Sequence, residues 1–92
     1  MRIRPSRLYE RDLSKIKDKS VHNQVKKTIQ LLCENPSHPS LHNKHITCKR
    51  ADNLYSVRVN KNYRILYLLY EDYIELHRLL DHDKYDRYTK DC

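Results

Sequence analysis

Ninety-two residues, 38% of them hydrophobic, are enough for a single domain with a modest core. Lys and Arg number 19 against 12 Asp and Glu, and the resulting net charge of +7 favours an acidic partner: nucleic acid, a membrane surface or an acidic protein. The chain has no glycine and no apolar run of about 18 residues, which excludes glycine-rich phosphate loops and a membrane-spanning helix.

The start of the chain predicts a short strand and a short helix. Residues 1–4 alternate Met, Arg, Ile and Arg, as a short strand does. Ser6 can then cap a helix, because its side-chain oxygen can accept a hydrogen bond from a free backbone N–H of the first turn. The apolar residues of this helix follow at helical spacing: Tyr9, Leu13 and Ile16.

A second, longer helix is predicted from Ser20, a possible cap, to Asn35, where Pro36 prevents its continuation. Lys26 and Lys27 would face solvent, and the two helices would form a hairpin that covers a sheet. Residues 36–53 are polar and irregular, which predicts a loop with a strand starting near residues 45–49. The apolar stripe of the helix consists of Val21, Val25, Ile29 and Leu32.

Residues 54–85 predict a three-stranded antiparallel meander. Three runs rich in Tyr, Val, Ile and Leu are separated by polar residues at 60–62 and 71–72. The middle run, residues 63–70, is almost continuously apolar, which indicates a central strand covered on both faces. The predicted order is β-α-α-β-β-β: an α+β fold in which residues 1–92 form a small, mostly antiparallel sheet with the helical hairpin on one face.

Arg64 interrupts the middle run. A guanidinium stays charged at any accessible pH, and burying it without partners is costly. Arg64 therefore either pairs with an acid, such as Glu75 or Asp81, or marks a polar face that binds an anion.

The connection before Arg64 decides which face of the sheet it occupies. A two-residue turn at 61–62 would place Arg64 among the valines of the preceding strand. A three-residue loop at 60–62 would place it opposite Arg58 and keep the apolar and polar faces distinct, so we predict this register. Asn62 tolerates positive φ and suits the left-handed position of such a loop. Two arginines side by side repel each other, which indicates that they bind something negative.

The runs Tyr-Ser-Val-Arg-Val, Tyr-Arg-Ile-Leu-Tyr and Leu-Leu-Asp-His-Asp-Lys-Tyr resemble those of the RelE/ParE superfamily of small bacterial toxins. The resemblance implies the toxin of a type II toxin–antitoxin system, with its first strand beside its last and an acidic antitoxin covering its basic face. It implies an endoribonuclease that cuts translated mRNA at the ribosome. Because the superfamily also holds gyrase poisons, a ParE-like gyrase inhibitor is an alternative, as is a non-catalytic basic module that binds RNA or protein.

Three residues are predicted to be catalytic: Arg64, His82 and Tyr85. Arg64 would offset the charge of the transition state. Histidine as a residue type titrates in the range that proton transfer requires, so His82 could take or give a proton, although a histidine there could instead cap a loop. Tyr85 could donate a proton or stack on an unpaired base.

Four residues are predicted to bind RNA: His45, Lys49, Arg58 and Lys61. Arginine binds two phosphate oxygens at once and lysine adds a point charge. By the resemblance, His45 lies where some ribonuclease relatives place a catalytic histidine. The spacing from His38 to Cys48 is also that of metal ligands, but it lacks the paired arrangement of structural zinc sites, so we predict exposed histidines and no metal or other cofactor.

The three cysteines, Cys33, Cys48 and Cys92, are odd in number and widely spaced. This favours free thiols in a reducing compartment over a disulfide framework. Cys33 lies next to the stripe of the second helix and is expected in the core. The N-terminal residues lack the apolar segment of a secretory signal, so the expected location is the cytoplasm.

Overall fold

The computed structural model of the chain describes residues 2–92, which form a five-stranded sheet with helices on both faces. The strand order is β1-β5-β4-β3-β2, and among the described strands only β1 and β5 are parallel. This confirms the α+β class, the meander and the place of the first strand beside the last; Met1, included in that predicted strand, lies outside the described residues. In chain order the elements are β1 (Arg2–Pro5), α1 (Arg7–Ser14), α2 (Lys19–Glu34), a 3₁₀ turn (Pro39–Leu41), β2 (Lys44–His45), β3 (Leu54–Arg58), β4 (Tyr63–Leu69), β5 (Tyr73–Asp81) and α3 (His82–Lys90).

The two predicted helices form, although one cap differs from the prediction. Ser6 caps α1, and its Oγ accepts the N–H of Tyr9 at 3.1 Å. The cap of α2 is Asp18, not Ser20, because the Asp18 carboxylate accepts both the N–H and the hydroxyl of Ser20, at 2.9 and 2.8 Å. Asn35 ends α2 as expected.

The main core lies between α1, α2 and one face of the sheet. Period-two alternation puts Val57, Ile65 and Tyr67 on this face, each at most 2% exposed, under the apolar stripe of α2. The helices contribute four buried residues to this core: Tyr9, Val21, Val25 and Leu32.

None of the helices in residues 2–92 is long and apolar enough to cross a membrane.

The β3–β4 register is the predicted one, with Arg58 directly opposite Arg64. The prediction of a left-handed backbone at Asn62 is wrong, because in the described part of the chain only His42 has positive φ, at 45°. The loop closes differently, because the Asn60 side chain accepts the N–H groups of Asn62 and Tyr63 at 2.7 and 2.9 Å. An Asn side chain that mimics a backbone turn removes the need for a left-handed residue.

Helix α3 was not predicted, and it covers the second face of the sheet. Asp81 caps it by accepting the N–H of Lys84 at 2.9 Å. Tyr85 of α3 packs into a second apolar cluster with Leu54 and Leu66, which lie on the same face as Arg64. The sequence did contain a signal: Asp81 as a cap, followed by Tyr85, Tyr88 and Cys92 at helical spacing.

The cysteines depart from the expectation of free thiols. Cys48, in the turn after β2, forms a disulfide with Cys92 after α3, with their Cα atoms 4.3 Å apart. The two residues are 44 positions apart in sequence, so only the return of α3 across the sheet brings them together. Cys33 is free but exposed, not in the core.

Candidate active site

A basic cleft of about 330 Å³ opens on the second face, between the β3–β4 loop, β2 and the start of α3. It brings together five of the predicted residues: Arg58, Lys61, Arg64, His82 and Tyr85. We call it the basic cleft; the other lining residues are His42, Lys44, Asn60, Asn62 and Asp86.

Arg64 is held by its sheet neighbours, with part of its guanidinium left free. Its Nη2 donates to the His42 carbonyl at 2.8 Å and to Ser56 Oγ at 2.9 Å, and its Nε donates to the same Oγ at 3.3 Å. The hydrogen bonds to His42 and Ser56 leave Nη1 unused, and the Tyr85 hydroxyl lies close enough to the guanidinium to raise its pKa through a hydrogen bond. The side chain is therefore fixed in orientation while two N–H donors remain available for a ligand.

Within residues 2–92, Arg64 has no carboxylate partner. In the part of the chain that the structure describes, Asp12 forms an ion pair with Arg78, and Asp86 lies beside the His82 imidazole. Burial, reinforced by the nearby charge of Arg58, lowers the pKa of Arg64, and the neighbouring Tyr85 hydroxyl opposes this shift. Arginine remains charged even so. Of the two alternatives left by the sequence, the structure favours anion binding over a salt bridge to an acid.

Tyr85 forms the floor beneath Arg64. The ring is 6% exposed, and the Arg64 guanidinium lies 5.2 Å from its centroid, within cation–π range. Its hydroxyl is 3.1 Å from Ser56 Oγ, the atom to which Arg64 donates. A ring buried in this way offers no free face to a nucleobase, so stacking is excluded, and the contacts of Tyr85 favour positioning of Arg64.

His82 stands at the rim of the basic cleft, at the start of α3. Its side chain is 71% exposed, and its Nε2 lies 3.3 Å from Oδ2 of Asp86, one helical turn later. A carboxylate accepts hydrogen bonds, which assigns the proton to Nε2 in the neutral ring and leaves the Nδ1 lone pair free. His82 can therefore accept a proton in the cleft.

The structure does not bring His45 and Lys49 to the basic cleft. His45 is exposed at the edge strand β2, where its Nε2 donates to the Asp52 carbonyl at 2.8 Å. Lys49 is exposed in the turn between Cys48 and Ala51. Both remain on the surface of the segment that follows α2.

Three residues of the site were missed: His42, Lys44 and Ser56. His42 gives its carbonyl to Arg64, and its ring Nε2 lies 3.5 Å from Nη1 of Arg58. Lys44 reaches to 5.8 Å from the Tyr85 ring centroid. Ser56 could have been found from its register, since it lies two residues before Arg58 on the polar face of β3; the place of His42 depends on loop geometry that no periodicity reveals.

No cluster of three or more metal-binding side chains occurs within residues 2–92. Of the residues with metal-ligand spacing, Cys48 is in the disulfide, His45 donates to a carbonyl and His38 Nδ1 accepts the N–H of Ser40. Each has a different partner. The basic cleft itself is lined by cations and by the imidazoles of His42 and His82.

Residues 19–87 match the family model of the ParE-like toxin domain. No curated protein matches the chain. Among solved structures, the fold is similar to YafQ from E. coli strain BL21(DE3), with 16% identity, a TM-score of 0.77 and coverage of 92% of this chain and 98% of that chain. It is also similar to the YoeB dimer from Staphylococcus aureus, with 16% identity, a TM-score of 0.75 and coverage of 89% of this chain and 97% of that chain. A third similar structure is the RelB–RelE antitoxin–toxin complex from Methanococcus jannaschii, with 22% identity, a TM-score of 0.70 and coverage of 92% of this chain and 96% of that chain.

Proposed function

The chain belongs to the family of ParE-like toxin domains, within the RelE/ParE superfamily, and from this membership we propose that it is the toxin of a type II toxin–antitoxin pair that cuts translated mRNA at the ribosome. The observation that carries the proposal is Arg64. It is half-buried, rigidly held and free of any carboxylate within the described residues, and it shares its cleft with a histidine whose Nδ1 is free.

These side chains fit cleavage through the ribose 2′-hydroxyl. His82 Nδ1 takes the proton of the 2′-OH, whose oxygen attacks the adjacent phosphorus. The free Nη1 donors of Arg64 stabilise the extra negative charge of the phosphorane. His42, whose ring lines the same cleft and whose Nε2 faces the Arg58 donor, is the candidate acid, with its Nδ1–H giving the proton to the leaving 5′-oxygen. Tyr85 holds Arg64 in place from below.

The remaining cations of the cleft fit the binding of the RNA backbone. Arg58 and Lys61 lie on the β3–β4 hairpin, and Lys44 lies on the opposite wall. Positive charges along both walls hold a phosphate chain across Arg64 without reading its sequence.

Inhibition of gyrase is the second candidate function, favoured by the description of the matching family model as ParE-like. A gyrase poison needs to bind its target but does not need a proton acceptor beside an arginine. Two imidazoles, of His42 and His82, line the cleft with Arg64. Their presence favours RNA cleavage over gyrase inhibition.

The proposed partners follow from charge. The net charge of +7 suits an acidic antitoxin that would cover the basic cleft, and one similar structure is an antitoxin–toxin complex. Action on translated mRNA would place the protein in the cytoplasm.

The test uses purified protein in two assays run side by side. We expect the protein to cut a message in a translation extract and to leave DNA supercoiling by purified gyrase unchanged. Omitting ribosomes from the first assay shows whether they are required. Inhibited supercoiling with an intact message would establish the gyrase alternative, and no effect in either assay would favour the binding module.

A further inference from the structure

The Cys48–Cys92 disulfide has a cation beside one of its two sulfurs. Nη2 of Arg50 lies 3.5 Å from Sγ of Cys92 and donates a hydrogen bond to it. Arg50 lies in the turn that follows Cys48, so the segment that carries one cysteine places its cation on the other. The two ends of the disulfide therefore differ in their electrostatic surroundings.

Arg50 is held beside the sulfur by two aromatic side chains. Its guanidinium carbon lies 4.7 Å from the centroid of the Tyr88 ring, within cation–π range. The Tyr88 hydroxyl in turn lies 3.1 Å from Nε2 of His77, and the two rings meet edge to face with centroids 6.0 Å apart. Arg50 forms no ion pair with a carboxylate within residues 2–92. Its charge is thus directed at the sulfur and is not neutralised by an acid.

A cation in this position makes Cys92 the better leaving group. In thiol–disulfide exchange a thiolate attacks one sulfur, and the other sulfur leaves as a thiolate. A neighbouring guanidinium favours the thiolate form of a cysteine. Attack on Cys48 releases Cys92 Sγ beside Arg50, whereas attack on Cys92 releases a sulfur that Arg50 does not contact in the described chain. Cys48 is therefore the expected point of attack.

The position of Cys92 just after α3 opposes this effect but does not cancel it. The C-terminal end of a helix carries a partial charge of about −0.5, which disfavours a thiolate. Arg87 and Lys90 in the last turn of α3 counter that partial charge, and solvent screens the exposed Asp91. The full charge of Arg50 is the one in direct contact with the sulfur.

The disulfide is also accessible. Cys48 and Cys92 pack at the edge of the second apolar cluster and stay partly exposed, so a small thiol can reach them. The proposed function places the chain in the cytoplasm, where disulfides are rare and those that form are usually transient, catalytic or redox-sensing. This last step rests on the proposed function, whereas the contact of Arg50 with Cys92 is independent of it.

We propose that Cys48 and Cys92 form a reversible redox pair that small-molecule thiols open at Cys48, with Arg50 stabilising the departing Cys92 thiolate. The incoming thiolate bonds to Cys48 Sγ, the bond between the two cysteines breaks, and its electron pair stays on Cys92 Sγ. A second thiolate then attacks the small-molecule sulfur of this mixed disulfide, which releases Cys48 as a thiolate and the small molecule as its own disulfide. The reverse steps close the pair, so the stability that the disulfide adds to the fold follows the surrounding balance of thiol and disulfide.

The test uses the oxidised full chain with Cys33→Ser, which removes the third thiol, and reduced glutathione as the attacking thiol. An alkylating reagent stops the reaction, and mass spectrometry locates the glutathione and the alkyl group. We expect the first adduct to carry glutathione on Cys48 and the alkyl group on Cys92. Glutathione mainly on Cys92, or a disulfide that opens only after the protein is unfolded in urea, would overturn the inference.

Arg50→Ala should slow opening by about two- to fivefold, which is the effect of an exposed ion pair. Arg50→Lys should restore most of the rate, because it keeps the charge. The neutral thiol 2-mercaptoethanol should show the same loss, since the effect concerns the leaving sulfur and not attraction of the reagent. Arg11→Ala removes an exposed arginine from α1 on the opposite face of the sheet, and this matched control should open like the parent.

A folded Arg50→Ala protein that opens at the parental rate with both reagents would also overturn the inference. Circular dichroism confirms that each variant folds, and if Arg50→Ala does not, the position of the adduct in the parent decides. Cleavage of ribosome-bound mRNA by the oxidised parent is measured separately. Opening at Cys48 without cleavage rejects the nuclease alone, and cleavage without such opening rejects the redox pair alone.

Discussion

At the scale of single residues, Arg64 combines two properties that rarely occur together. It is half-buried in the sheet, which lowers its pKa through desolvation, and it lacks a neutralising carboxylate in residues 2–92. A hydroxyl, a carbonyl and a tyrosine ring compensate instead. These neutral partners fix the guanidinium without cancelling its charge, which remains available to a phosphate.

We expect Arg64→Ala to reduce RNA cleavage by about 10²- to 10³-fold, because it removes a preorganised donor to the transition state. Folding should be nearly unchanged, since the guanidinium lies at the rim of the second apolar cluster. Cleavage rates and thermal unfolding measure the two effects. Arg87→Ala, an exposed arginine of α3 outside the basic cleft, is the matched control and should behave like the parent.

His82→Gln should reduce cleavage by about 10²- to 10⁴-fold while leaving RNA affinity within a factor of about two, because it removes a proton acceptor and little positive charge. Single-turnover cleavage and equilibrium binding separate these quantities. Asp86→Asn should have a smaller effect on cleavage, since Asp86 only orients the imidazole. A folded His82→Gln protein with parental cleavage would transfer the role of base to another group, with His42 the first to test.

At the scale of elements, α3 determines whether the basic cleft exists. It carries His82, Tyr85 and Asp86, and its buried Tyr85 fills the second face of the sheet beneath Arg64. Two constraints hold it: the second apolar cluster and the Cys48–Cys92 disulfide, whose cysteines pack at the edge of that cluster. The packing of Tyr85 is close to the site, whereas the disulfide is at the far end of the helix.

The disulfide is therefore expected to contribute to stability but not to cleavage. Closing a loop of 44 residues stabilises a protein by about 4 kcal/mol in the chain-entropy model. We expect Cys92→Ser, or reduction of the parent, to lower the free energy of unfolding by roughly 2–4 kcal/mol and to leave cleavage near the parental rate. Urea unfolding with and without reductant measures this.

Cys33→Ser is the matched control, because Cys33 is exposed and unpaired. It should not change the stability or its response to reductant. Thiol titration of the oxidised, denatured parent should find one free thiol of the three cysteines. Three free thiols, or equal stability with and without reductant, would contradict the pairing.

The elements also show what sequence patterns can and cannot predict. The Arg58–Arg64 register followed from alternation, because a one-residue slip would have placed Arg64 among the valines of β3, on the face that α2 covers. Helix α3 was missed because Asp81, its cap, is also the last residue of β5. The role of His42 was missed because its left-handed backbone, at φ 45°, turns its carbonyl to Arg64 through a loop without periodicity. The Cys48–Cys92 disulfide was not predicted either, because only α3 brings the two cysteines together.

At the scale of the whole molecule, the positive charge behind the net charge of +7 is concentrated in the basic cleft. The basic cleft alone gathers four cations, Lys44, Arg58, Lys61 and Arg64, against one carboxylate, Asp86, which already faces His82. The helix-covered face is occupied by the main core. The proposed RNA and the acidic antitoxin would therefore compete for one face of the protein.

RNA binding should accordingly weaken steeply with salt. With four phosphate contacts, the slope of log K against log salt for a single strand is about −2.8, a loss of roughly 50-fold between 50 and 200 mM. Removing one cation, as in Lys61→Ala, should reduce the slope by about 0.7. Lys26→Ala on the solvent side of α2 is the control and should leave it unchanged. A flat salt dependence would reject the basic cleft as the RNA site.

Whether the basic cleft cuts mRNA is decided by mapping mRNA 5′ ends in cells after induction of the parent and of Arg64→Ala at equal protein levels. We expect new 5′ ends within translated regions for the parent, accompanied by growth arrest, and neither effect for Arg64→Ala. Growth arrest by the parent without new 5′ ends, or the same 5′ ends in cells expressing folded Arg64→Ala, would contradict it.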